Sequence, residues 1–213
     1  MKKYLTIILV FIFSIISPVC ANVLPTSVKD IPSNTIGVYQ ADSIITIYTS
    51  PQKTANIIKE IKVVNPEYRE NEYANIFGIL IPKKNLGYLY VTDTTDDDWV
   101  EVIYDKKKML KGWVLKNDDF QFLPWINFYN MYGRKYGLKY LKNTPDGIYN
   151  IQTQTDTTSK VLGQTIKSRE IRLTAIEGIW MLVSVLDSNY SINTGYILWR
   201  NISGEIYLFP NLK

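Results

Sequence analysis

The chain has 213 residues, 46% of them apolar, with 24 Lys and Arg against 20 Asp and Glu, a formal net charge of +4, no histidine and one cysteine. That length suffices for one large or two small domains with buried cores. Without histidine there is no Ser-His or Cys-His nucleophile pair, no imidazole general base and no imidazole metal ligand, so most familiar hydrolase sites are excluded.

Lys2 and Lys3 precede an apolar stretch from Tyr4 to Ile16, which is followed by Ser17-Pro18-Val19-Cys20-Ala21. This pattern predicts a signal peptide over 1–21, cut after Ala21 to leave Asn22 first, and hence export to the periplasm or the medium. The stretch is shorter than the roughly 20 residues of a spanning helix, so no stable membrane span is expected after cleavage. A lipoprotein cut before Cys20 would want a small residue ahead of it, and Val19 stands there. The ordinary cut discards Cys20, which removes disulfides and thiolate metal sites from the mature chain. It also discards two lysines, bringing the net charge to +2. Such a balance does not call for a nucleic-acid partner.

After an N-terminal lead (22–35), short runs of β-branched and aromatic residues alternate with polar turn signals, which predicts an all-β protein. The predicted strands are Ile44 to Tyr48, Tyr88 to Thr92, Trp99 to Tyr104, Gly112 to Leu115, Ile171 to Ile176, Trp180 to Leu186 and Gly195 to Trp199. The segments Thr94 to Asp98, Asp105 to Lys111, Glu177-Gly178 and Asp187 to Thr194 supply Asp, Asn and Gly for the connections.

The two halves repeat. Ile47 precedes Ile57 by ten positions, as Ile151 precedes Val161. Trp99-Val100-Glu101-Val102 answers Trp180-Met181-Leu182-Val183, and Lys111-Gly112-Trp113-Val114 answers Thr194-Gly195-Tyr196-Ile197. The units close with Phe122-Leu123-Pro124 and Leu208-Phe209-Pro210.

These landmarks resemble the bacterial SH3-like domains of exported cell-envelope proteins, whose run is a polar loop, Val-Ile/Leu-Gly, a Trp-x-x-Val strand and a Gly-Trp-Val strand. Thr157 to Gly163, Trp180 to Val183 and Gly195-Tyr196-Ile197 carry that run in the second copy, and Thr54 to Ile58, Trp99 to Val102 and Gly112-Trp113-Val114 in the first. The family's Asn-Val-Arg-Ser-Gly-Pro segment is only echoed, by Ile47 to Pro51 and by Ile151-Gln152-Thr153. The resemblance implies two tandem SH3-like small β-barrels, over 36–125 and 141–213, with Val100, Val102, Val183 and Val185 pointing inward.

The first copy is longer, with 52 positions from Ile47 to Trp99 against 29 from Ile151 to Trp180. An insertion at about 62–85 is therefore expected. Within it Asn65 suits a helix N-cap, Pro66 the first helical position, Glu67 the positive end of the dipole and Gly78 a C-terminal cap. Tyr73, Ile76 and Phe77 would share a face, so a short helix on the barrel is expected, with a lid over a groove as the alternative. Between the copies, 126–140 carries Phe128, Tyr129, Tyr132, Tyr136 and Tyr140. A flexible linker would be polar, so a buried strap is expected, with an aromatic docking platform as the sharper reading.

The acidic run Asp93, Asp96, Asp97 and Asp98 lacks the spacing and glycine of a calcium loop, and a solvated hairpin tip is expected. The opposite run, Lys106, Lys107, Lys108 and Lys111, suits a turn or contact with an anionic polymer or lipid surface. Glu67, Glu70 and Glu72 are sequence neighbours rather than acids facing each other across a cleft, so no enzyme, metal or cofactor is expected. The candidate binding residues are the barrel aromatics Tyr48, Trp99, Trp113, Trp180, Tyr196 and Trp199, which either complete small cores or form grooves for an extended peptide or glycan-peptide strand. Through the resemblance the implied partner is a cell-wall polymer, peptidoglycan or its stem peptides. An envelope protein bound by an interaction module is the alternative, and a weak cell-wall hydrolase a further one.

Overall fold

A computed structural model describes residues 22–41, 44–62, 70–84, 86–117 and 121–212. The segment 1–21, read from sequence as a signal peptide, and the expected cap residues Asn65, Pro66 and Glu67 lie outside the described residues. No helix among the described residues is long and apolar enough to cross a membrane.

The fold is mostly β. The first half contains β1 (Gly37–Gln40), β2 (Ile44–Tyr48), β3 (Ile57–Lys62), α1 (Glu70–Ile76), β4 (Ile79–Ile81), β5 (Leu86–Thr94), β6 (Trp99–Asp105), β7 (Leu110–Leu115) and β8 (Phe122–Pro124). A helical connector follows: α2 (Trp125–Phe128), a π-helical turn (Tyr129–Gly133) and α3 (Arg134–Tyr136). The second half contains β9 (Leu138–Tyr140), β10 (Asn150–Gln152), β11 (Val161–Gln164), β12 (Glu170–Glu177), β13 (Trp180–Leu186), β14 (Ile192–Leu198) and β15 (Leu208–Pro210).

The repeat seen in the sequence is a repeat of topology. One antiparallel sheet runs β3-β2-β7-β6-β5-β1-β8, with β4 added against β5, and the other runs β11-β10-β14-β13-β12-β9-β15. Position by position the seven-strand orders match. Two of the irregularities match too, while the bulge between Ile103 and Asp105 has no counterpart in the pairing of β13 with β14. A bulge between Ile47 and Tyr48 has its counterpart between Ile151 and Gln152, and one between Val91 and Asp93 has its counterpart between Leu173 and Ala175. Each bulge bends its strand and so curls the sheet over its own core. The expected closed barrels are not formed: each sheet is an open path with distinct edge strands, β3 and β8 in the first and β11 and β15 in the second.

Glycine makes the curl possible at one equivalent point in each half. A Cβ on Gly112 would collide with Ile47 Cγ2, and a Cβ on Gly195 would lie 2.6 Å from Gln152 O and 2.7 Å from Ile151 Cγ2. Only a residue without a side chain lets β7 approach β2, or β14 approach β10, this closely.

Two cores result. One lies within the first half and joins Ile47, Phe77, Leu89, Val91, Val100 and Val102. The other runs through both halves, from Tyr90 and Ile103 by way of Trp125, Phe128 and Tyr129 to Val183, Val185 and Phe209. Val100, Val102, Val183 and Val185 point inward as the alternation predicts. In the insertion, α1 and the residue after it lay Ile76 and Phe77 on the first core, with Tyr73 stacked on Phe77 at 5.8 Å. Beyond the expected helix, the insertion also adds β4 to the sheet.

The connector is packed rather than exposed. Phe128 and Tyr129 are fully buried, Tyr129 Oη donates to the carbonyl of Leu208, and the Tyr88 and Tyr132 hydroxyls are hydrogen-bonded to each other. Its last three residues pair into the second sheet as β9, so that sheet begins at Leu138, inside the stretch read from sequence as connector. The N-terminal lead fastens both halves. Val23 N donates to Leu80 O, Val28 N donates to Lys142 O, and Lys142 N donates to Thr26 O.

Candidate binding faces

On the outer face of the first sheet, register places Tyr48 opposite Trp113 and Trp113 opposite Glu101, a row crossing β2, β7 and β6. Tyr48 sets its ring against Trp99 at 5.4 Å and 89°, edge to face. Glu101 takes Lys111 Nζ at 2.9 Å and the hydroxyl of Thr92, which holds a carboxylate beside the indole of Trp113. Tyr48 and Trp113 are half-buried. Each therefore offers part of a rigid ring to solvent while the rest is held by its neighbours.

The second sheet presents the corresponding row, Gln152, Tyr196 and Leu182. Tyr196 is half-buried, and its hydroxyl donates to Glu177 Oε1 at 3.2 Å. The negative charge of Glu177 raises the Tyr196 pKa above the ordinary tyrosine value, so the hydroxyl remains a donor. Where the first face has Tyr48, the second has Gln152, buried and tied to Thr157 and Ser159 of the loop after β10. The two faces are thus equivalent in position and unequal in aromatic content.

The other three candidate rings are closed to a ligand. Trp99 and Trp180 are 4% and 8% exposed, and Trp199 is fully buried. Trp199 packs on Tyr129 at 4.7 Å, donates Nε1–H to Gly178 O and carries the Arg200 guanidinium over its ring. It belongs to the core shared by the halves. The reason is tertiary: strand alternation puts Trp99 on the outer face, but the Tyr48 ring then covers it.

Among the described residues no group of three or more acidic or cysteine side chains could hold a metal ion. In the acidic run, Asp98 pairs with Lys116 Nζ at 2.9 Å and Asp93 accepts from Thr94 N, as on a hairpin tip.

The polar cavity that sequence reasoning missed lies elsewhere, between the lead, α1 and the β6–β7 hairpin. It has a volume of about 420 Å3 and is lined on its polar side by Lys29, Asp30, Asn75, Lys106 and Lys107. The lysine run was its signal in the sequence. The lead and Asn75 carried no local mark of a shared wall.

No family model and no curated protein sequence matches the chain.

Proposed function

We propose that the chain is a non-catalytic, exported binding protein of the bacterial cell envelope, built from two SH3-like units that hold peptidoglycan or its stem peptides. The supporting observation is the identical strand order of the two sheets, which sets Trp113 and Tyr196 at the same position on two outward faces, each ring half-exposed. Half-exposed rings on bent sheets suit an extended, repetitive ligand: a ring stacks on sugar or peptide, and neighbouring polar groups fix the register. Two modest sites gain avidity when one polymer spans both.

The test is retention of the protein beginning at Asn22 on purified sacculi. Trp113→Ala with Tyr196→Ala should release it while the fold, followed by circular dichroism, is kept. Retention unchanged by the double substitution removes these faces from the reading, and no retention of the unaltered protein removes the ligand.

A second reading, a module that docks an envelope protein, draws on the sheet edges rather than on the buried connector. The edge strands β3 and β11 both expose an apolar pair, Ile57-Ile58 and Val161-Leu162. An open edge with apolar side chains is a template for an added strand. A stoichiometric protein captured from envelope extract, without sacculus retention, would favour it.

A further inference from the structure

The cavity beside the lead is built from three segments, each fixed by hydrogen bonds. The β6–β7 hairpin is pinned to α1 by Lys106 N to Asn75 O and Lys107 N to Asn75 Oδ1, both 2.8 Å. The lead is pinned to β4 at Val23 and turned by a capping box in which Ser27 and Asp30 bond to each other's backbone. Its apolar wall includes Leu24, Pro32 and Met109, and its volume is in the range of small-ligand sites.

Its charges are unbalanced. Three lysines face one carboxylate, and that carboxylate is engaged: Asp30 Oδ2 accepts from Thr26 N at 2.8 Å, Thr26 Oγ1 at 2.9 Å and Ser27 N at 3.0 Å. Among the described residues Lys106 has no carboxylate within ion-pair distance, although its side chain is partly buried. Burial pushes its ammonium below the ordinary lysine pKa, and the charge of Asp30 only partly opposes this. A desolvated cation without a counter-ion is costly, and an anion entering the cavity relieves that cost.

We propose that this cavity is a binding site for a singly charged carboxylate carried on a short apolar body, such as the C-terminal residue of a peptide, with Lys106 as the principal contact and Lys29 and Lys107 at the rim. Charge alone would accept any anion; the apolar wall of Leu24, Pro32 and Met109 is what favours a carboxylate on an apolar body over a fully hydrated ion such as phosphate. The apolar wall takes the body of the ligand. The site is separate from the faces at Trp113 and Tyr196, so each can fail without the other.

The experiment is a titration of the isotope-labelled protein with N-acetyl-alanyl-alanine, its C-terminal amide and inorganic phosphate, followed by the backbone amide resonances of Asn75, Lys106, Lys107 and Met109. The acid should shift these resonances saturably, and the amide should bind at least about tenfold more weakly. Lys106→Met should weaken the acid by about tenfold or more, Lys106→Arg should retain it, and Trp113→Ala should leave it unchanged. If Lys106→Met fails to fold, the acid and amide on the unaltered protein still decide. Equal binding of acid and amide, no shift at these amides, or phosphate binding as tightly as the acid would overturn the proposal.

Discussion

The hydroxyls of Tyr88 on β5 and Tyr132 in the π-helical turn lie 2.6 Å apart, so a strand of the first sheet and the connector share one hydrogen bond inside a cluster of aromatic rings. Tyr132→Phe should cost about 1 kcal/mol, because the Tyr88 hydroxyl keeps only the longer bond to Gln40 at 3.3 Å. A double-mutant cycle with Tyr88→Phe, read by denaturant unfolding, should give a favourable coupling of similar size. Zero coupling would show that the pair is geometric only.

Alkaline pH should unfold the protein in a way set by buried phenols. Burial raises the pKa of Tyr88, Tyr90, Tyr129 and Tyr140 above the ordinary value, with the Tyr132 bond adding to it at Tyr88. The unfolded chain then releases protons above about pH 10 while the folded one does not, so stability falls by about 1.4 kcal/mol per pH unit for each such group until its folded pKa is reached. Phenolate absorbance should rise steeply and together with loss of circular dichroism. A smooth titration of all tyrosines on a folded protein would contradict this.

Acid should act through Asp30. Burial alone would raise its pKa, but bonds from Thr26 and Ser27 prevail and hold it below the ordinary aspartate value. A depressed folded pKa means a contribution present above the unfolded pKa of about 3.9 and lost as pH falls through the folded one. Since the residue is exposed, Asp30→Asn should cost no more than about 0.5–1 kcal/mol at neutral pH, and the difference from the unaltered protein should vanish as the pH falls through the folded Asp30 pKa.

Gly112→Ala and Gly195→Ala should each destabilise by about 1–3 kcal/mol, as a methyl group is forced against the neighbouring strand. Thermal midpoints should fall by comparable amounts for the two. A neutral effect at either would show that the strands part readily there.

Trp199→Ala should cost about 3–5 kcal/mol and Trp113→Ala less than about 1.5, since the first ring is core and the second is half-exposed. Urea unfolding of the two variants separates a packing residue from a candidate contact.

Much of this fold is written in the alternation of its longer strands. Trp-x-x-Val placed Val100, Val102 and Val183 on the inner side, and Gly112 and Gly195 marked the close crossing in each half. The closing triplets Phe122-Leu123-Pro124 and Leu208-Phe209-Pro210 proved to be β8 and β15. Strands such as β4 and β9 are three residues long, too short for periodicity to separate them from a loop, and only their pairing defines them: β4 with β5, the next strand, and β9 with β12 and β15 far along the chain. The connector's aromatics signalled burial but not the π-helical turn that carries them. Among the candidate rings, composition could not divide Trp113 from Trp199, because their difference comes from what other segments place on top of them.

The hydrogen bond from Tyr129 to Leu208 O orders events as the chain emerges. The first sheet has all its strands once Pro124 is out, but the connector's buried tyrosine must wait for a carbonyl 79 residues further along. The lead likewise waits for Lys142. Loss of the last few residues, β15 among them, would therefore uncap the far end of the second sheet and strip the first half's connector of its cover. A truncated chain of this kind would be sticky rather than merely shorter.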